Sequence, residues 1–342
     1  MSVRQTVTTL TPRRAREHRD VVTAILLAHG SEAGQFSVLG PDPWWVLVSP
    51  SGEGFVNFVE GARAVVSWRS PVCAASELAV LVEGLLDYGA SVRKEVFFIE
   101  VSEATSVAGA QRAMTPLWTG AESYLDLSKW SMSGGRREKI RLARNHAARL
   151  GVTWREARPF DVAPDYTGLA DVQTRWKRAR PERHTASFLR TDFTELGELR
   201  RYFVAERDAE VVASVTCSPM NAKGWYLQDL VRDPHAPRGA LEGAMCQALD
   251  ALRDEGYAVA SNGPLPFWRP HESWTDQHQL GPFGNRILRH FDRQYRFEGI
   301  NQFRAKLEPD WTSPLYVLRS RRFVSPLAAR SLSRVLNGPP RG

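Results

Sequence analysis

The chain has 342 residues, 43% hydrophobic and 24% charged, and its 45 Lys and Arg against 38 Asp and Glu leave a formal charge of +7. That length exceeds one typical core and predicts two domains, while the apolar content excludes a disordered chain. No apolar run approaches the roughly 20 residues of a spanning helix, and Met1 to Arg19 lacks the apolar stretch of a secretory leader, so a cytoplasmic protein is expected.

In chain order, Arg16 to Gly30 alternates polar and apolar positions at helical spacing. Trp44 to Ser49, Gly54 to Glu60 and Arg63 to Trp68 are short β-rich runs separated by Pro, Gly and Ser, which predicts an antiparallel meander. Ala75 to Tyr88 spaces its leucines by three and four, a helix, and Lys94 to Val101 is a strand. A second round follows: a helix over Tyr166 to Arg178, strands at Tyr202 to Glu206, Val211 to Ser218 and Trp225 to Arg232, and a helix over Ala240 to Glu255. The repeated order predicts two lobes of the same architecture.

Between the rounds, Gly134 to Leu150 sets Arg136, Arg137, Lys139, Arg141, Arg144 and Arg149 around a thin apolar line of Ile140, Ala143, Ala147 and Leu150. A helix of this kind, led by two glycines, suits contact with a phosphate backbone such as that of tRNA; a merely solvated face is the other reading. The basic excess points the same way, toward nucleic acid or an anionic membrane surface.

Trp225 to Arg232 reads WYLQDLVR and carries an acid and a base, Asp229 and Arg232, toward its end. A carboxylate there suits an ammonium group, and an arginine suits a phosphate or a developing oxyanion. Asn262, Gly263 and Pro264 read as a tight strand exit where backbone approaches a ligand closely. Tyr295 to Trp311 mixes aromatics with Arg304 and Lys306 at alternating positions, as on one side of a strand. Cys73, Cys217 and Cys246 form no CxxC pair, and no HxxxH, GxSxG or Walker loop occurs, so free thiols, no metal and no nucleoside triphosphate chemistry are expected.

Taken in order, these segments resemble the catalytic domain of the lysylphosphatidylglycerol synthetases, the multiple peptide resistance factor family. The family's DLSxxSLxG segment is similar to Asp126, Leu127 and Ser131 to Gly134; its DLMRR to Asp229, Leu230, Val231 and Arg232; its GxAPL to Gly263, Pro264 and Leu265. Its terminal YNFEGLxxFKxKFxPxW is similar to Tyr295, Phe297, Glu298, Gly299, Phe303, Arg304, Lys306, Pro309 and Trp311. Departures are Asp233 in place of the second arginine of DLMRR and Arg304 in place of the first terminal lysine.

The resemblance implies an α/β fold of two tandem acetyltransferase-like lobes with a tunnel between them: residues 1–133, a basic linking helix at 134–158, residues 159–325, and a flexible tail at 326–342. It implies transfer of an aminoacyl group from charged tRNA to a small-molecule or lipid acceptor, with no cofactor or metal and with peripheral membrane contact among the expected partners. Asp229, Arg232 and Lys306 are the implied catalytic residues. Asn262, Gly263, Arg304, Tyr295 and Trp225 are expected at the substrate, and Arg136, Arg137, Lys139, Arg141 and Arg144 at the tRNA. Soluble relatives that use seryl-tRNA in azoxy natural-product pathways make a small acceptor attractive. Two other readings remain: a CoA-dependent acyltransferase, from the turn Pro237 to Ala240, and a non-catalytic tRNA binder.

Overall fold

A computed structural model describes residues 7–40, 44–179, 193–194, 196–268 and 297–337. The first half opens with β1 (Thr8–Leu10), α1 (Pro12–Glu17) and α2 (Arg19–His29), then the meander β2 (Trp45–Val48), β3 (Phe55–Glu60) and β4 (Ala64–Trp68). Helix α3 (Leu78–Ser91) carries the chain back to β5 (Glu95–Val101), which lies parallel to β4, and α4 (Glu103–Ala110) leads to β6 (Thr115–Asp126). A parallel neighbour requires such a crossover because the chain must return to the starting edge.

The second half repeats the plan. After α5 (Glu138–Arg149) come β7 (Thr153–Ala157), α6 (Ala163–Arg178), and the meander β8 (Arg201–Arg207), β9 (Glu210–Asn221) and β10 (Gly224–Arg232). Helix α7 (Ala240–Asp254) crosses to β11 (Val259–Pro266), parallel to β10, and α8 (Phe297–Ala305), β12 (Trp311–Arg319) and α9 (Pro326–Asn337) follow.

The twelve strands of the described residues join one sheet in the order β1-β2-β3-β4-β5-β12-β6-β11-β10-β9-β8-β7. The halves therefore exchange their last strands: β12 pairs with β5 of the first half, β6 pairs with β11 of the second, and β12 and β6 pair antiparallel at the centre. The exchange makes a boundary at residue 133 a boundary of sequence only, since the strands on either side of it are hydrogen-bonded across the halves. Helices cover both faces. Leu81, Val82 and Leu85 of α3 are fully buried against β3 and β5, and Leu241, Met245, Leu249 and Leu252 of α7 pack with Phe203, Val215 and Leu227. Each such side chain contributes about 1.5–3 kcal/mol.

Several expectations need correction. The first helix is broken at His18, which caps α1 and opens α2. The segment ending in Arg304 is helix rather than strand, because Phe297, Ile300, Phe303 and Leu307 recur every three or four residues, and that period outweighs the shorter alternation. Asn262, Gly263 and Pro264 lie inside β11, at a register shift, and not at its exit. Strand β6 went unpredicted, its alternation interrupted by Pro116, Gly120 and Glu122. The tail is ordered as far as Asn337: Ala328 and Ser331 of α9 are buried against β4, and Ser331 Oγ accepts the Arg63 amide at 3.0 Å.

Candidate active site

Parallel pairing of β10 with β11 runs from Gly224 opposite Val259 to Tyr226 opposite Ser261 and ends there. Beyond it, β10 carries a register shift between Leu227 and Asp229 against β9, and β11 one between Ser261 and Gly263 against β6. The residues placed at this parting are Tyr226, Asp229, Asn262 and Gly263, with Arg304 at the end of α8 closing on them. Gly263 has φ +89°, and a Cβ there would stand 2.9 Å from the Arg304 guanidinium carbon and 3.0 Å from the Tyr226 ring. Arg304 donates to the Pro264 carbonyl, and its own carbonyl accepts from Asn262 Nδ2 at 2.9 Å. Asn262 is fully buried, and its Oδ1 has no hydrogen-bond partner among the described residues, so a buried acceptor is left open here. Asp229 is 6% exposed, with an Arg200 nitrogen 3.8 Å from its carboxylate.

Beneath the parting lies a buried ion cluster of the first half, joined from the second half by Ser261. Arg69, 1% exposed, donates to Glu122 at 2.7 Å and faces Glu100 at 3.2 Å. The other Glu122 oxygen accepts from the Ala33 amide and from Ser261 Oγ, both at 2.8 Å. Ser261 Oγ in turn accepts the Gly263 amide at 3.0 Å, so the backbone beside Arg304 is linked through Ser261 and Glu122 to Arg69. Burial opposes the charge on Arg69, but Glu122, Glu100 and Glu32 together hold its pKa above the ordinary value. Burial pushes the Glu32 and Glu100 carboxyls up, with Arg69 pulling them down. Burial also raises the Tyr226 phenol, which stays neutral and can donate a hydrogen bond.

Lys306, just past α8, bonds to Glu242 in the first turn of α7 at 3.1 Å. The second Glu242 oxygen is buried with no hydrogen-bond partner among the described residues. The turn before α7 is closed by packing: a Cβ at Gly239 would stand 1.9 Å from the Ala143 carbonyl of α5, and Trp154 Nε1 donates to the Ala240 carbonyl at 2.8 Å.

The sequence-derived candidates thus separate. Asp229, Asn262, Gly263 and Arg304 gather at the parting; Lys306 stands with Glu242; Arg232 is exposed at the end of β10. Trp225 points to the opposite face of β10 from Tyr226 and packs edge-on against Tyr257, 5.7 Å between centroids, within the α7 core. Tyr295 lies outside the described residues. Arg137 is not a phosphate-facing residue: it is 3% exposed, 4.4 Å over the Trp130 ring. Arg136 is tied to Asp310 at 2.6 Å, Arg141 to the carbonyls of Met132 and Gly134 at 2.9 and 2.5 Å, and Arg144 lies 5.5 Å over Trp154; Lys139 is exposed. Sequence reading missed Arg69, Glu100, Glu122, Ser261 and Glu242; the only local signal of the four charged ones is a charge within or beside otherwise apolar strands and helices, and Ser261 has none.

A meander, a crossover helix, a parallel strand and a final strand, all present twice, define a mixed α/β protein with the acetyltransferase-like, GNAT-like fold. The family model described as phosphatidylglycerol lysyltransferase, C-terminal, matches residues 26–319, and the chain belongs to that family. Phosphatidylglycerol lysyltransferase of Staphylococcus haemolyticus is 23% identical over 285 residues, which cover 80% of this chain and 32% of that one, so the chain spans about a third of the relative's length. The crystal structure of a C-terminal domain from Agrobacterium fabrum, described as that of a lysylphosphatidylglycerol synthetase, superposes with TM-score 0.80 at 21% identity, covering 95% of this chain and 99% of that one. L-PGS of Bacillus licheniformis superposes with TM-score 0.78 at 17% identity, covering 93% and 96%. Among the described residues no helix is long and apolar enough to cross a membrane.

Proposed function

We propose that this chain transfers an aminoacyl group from aminoacyl-tRNA to a hydroxyl or amine of an acceptor, with a phosphatidylglycerol-like lipid favoured by its family and a small metabolite as the other candidate. The observation that carries the reading is the parting of β10 and β11, where a carboxylate, a guanidinium, an amide oxygen without a partner among the described residues and a close backbone approach converge. In this reading Asp229 holds the α-ammonium of the aminoacyl group, and Asn262 Oδ1 accepts one of its N–H bonds. The acceptor oxygen or nitrogen attacks the ester carbonyl carbon, and the bond from that carbon to the terminal ribose oxygen breaks. The proton lost by the acceptor is balanced by the one gained by the ribose hydroxyl. Arg304 stabilises the oxyanion at the parting, while Lys306, held beside Glu242, and Arg232, exposed at the strand end, are assigned to the leaving ribose end and the phosphates of the tRNA. The ester is already activated, so positioning and electrostatics suffice without a covalent intermediate. Lys139 and Arg149 are the exposed cations of α5 that remain for tRNA.

Against the CoA-dependent reading stand the closed turn before α7 and the acidic Glu242 in its first turn, since a pyrophosphate needs open amides there and no buried carboxylate. The test is to incubate the purified chain with tRNA charged separately with each labelled amino acid, with phosphatidylglycerol vesicles or an aqueous extract as acceptor. Label should pass to one fraction and stay on tRNA with Asp229→Asn; retention on every charged tRNA refutes the transferase.

A further inference from the structure

After Asp310 the sequence has no Asp or Glu as far as Gly342, yet it carries arginines at 319, 321, 322, 330, 334 and 341. Helix α9 lays Ala328, Leu332, Val335 and Leu336 on the core beneath β4 and turns Arg330 and Arg334 outward. The link between β12 and α9 holds Phe323 at 80% exposure, and the first turn of α9 holds Leu327 at 61%. The Arg322 guanidinium lies 5.7 Å from the Phe323 ring.

The topology enlarges this patch. β4 runs parallel to β5, and β12 runs antiparallel to β5 with Arg319 opposite Phe97, so the starts of β4 and β5 and the end of β12 share one edge of the sheet. Arg63, immediately before β4, and Arg93, two residues before β5, are exposed there. Of the acids on this edge, Glu60 is already engaged by Lys94 and the Tyr88 hydroxyl, and Glu95, the first residue of β5, is buried.

We propose that this end of the molecule is a docking surface for an anionic phospholipid bilayer, with Phe323 and Leu327 entering at headgroup depth and the arginines meeting lipid phosphates. Basic groups alone would suit RNA equally, but two large exposed apolar side chains set among them suit a surface that is charged outside and apolar just below. Arg63 and Arg69 are separated by six residues of extended chain, about 20 Å, so docking here orients the molecule and does not itself fill the site beside Arg69.

The test is co-sedimentation of the whole chain, without tRNA, with vesicles of phosphatidylcholine alone or mixed with phosphatidylglycerol. The expected result is binding that needs phosphatidylglycerol, weakens with salt, and falls by about tenfold or more in Phe323→Ser/Leu327→Ser and in Arg321→Glu/Arg322→Glu. All four side chains are exposed, and unchanged thermal unfolding would show both variants folded. Absence of vesicle binding, or equal binding by the variants, overturns the proposal. So does a loss of tRNA retention in Arg321→Glu/Arg322→Glu with vesicle binding intact. Because no transfer is measured, failure here leaves the aminoacyl reading standing, and failure of that reading leaves vesicle binding unaffected.

Discussion

Gly263→Ala separates the chemistry of the parting from its folding. At φ +89° an L-residue is strained by about 1–2 kcal/mol, and here the new methyl also stands 2.9 Å from Arg304 Cζ and Nη2 and 3.0 Å from Tyr226 Cε2. The guanidinium must retreat from the Pro264 carbonyl, and a displacement approaching 1 Å costs a positioned group on the order of 100-fold in rate. Gly52→Ala is the matched control: φ is +80°, and a Cβ there meets nothing within 4 Å. Both variants should lower the melting temperature by a few degrees, about 1–2 kcal/mol. Only Gly263→Ala should lower kcat/KM for aminoacyl transfer, by about 100-fold, or about 2.7 kcal/mol of transition-state stabilisation. Equal loss of activity in both variants, or full activity in Gly263→Ala, would refute the placement of the site.

Three other expectations follow from the same contacts. Glu122→Gln leaves the Arg69 guanidinium buried with its nearest carboxylate neutralised and should cost about 3–5 kcal/mol in denaturant unfolding; a cost below about 1 kcal/mol would mean the cluster is not bearing on stability. Lys306→Ala should lower kcat and kcat/KM together, whereas Glu242→Gln, which keeps the lysine and its charge, should lower them much less; the reverse order would move the catalytic role to Glu242. Arg155 holds the Asp165 carboxyl below its ordinary range, against burial that pushes it up. Asp165→Asn should therefore cost about 1.5–3 kcal/mol at neutral pH, and the deficit should shrink as pH falls from the ordinary carboxylate range through the lowered folded value. A deficit independent of pH would assign that stability to packing instead.

Much of the architecture was legible along the chain, because a helix or strand that buries one face must repeat its apolar residues with that element's period. The leucines of α3 and the β-rich runs of the two meanders did so, and their order announced two similar halves. The motif resemblance singled out Asp229, Gly263 and Arg304, which the fold gathers at the parting, and Lys306, which it holds beside Glu242. The exchange of β6 and β12 was hidden, since strand pairing depends on partners nearly two hundred residues away and β6 carries Pro116, Gly120 and Glu122 where alternation would reveal it. The direction of Trp225 was hidden for a related reason: a strand of mixed composition does not say which face meets the helix. Arg137 read as a surface cation until Trp130 covered it. Above all, Arg69, Glu100 and Glu122 have no signature as a group, because a buried charge is tolerable only when its counter-charges arrive from other strands. Periodicity is a local property and survives in one dimension; the pairing of charges across a shared sheet is decided only when the chain has closed on itself.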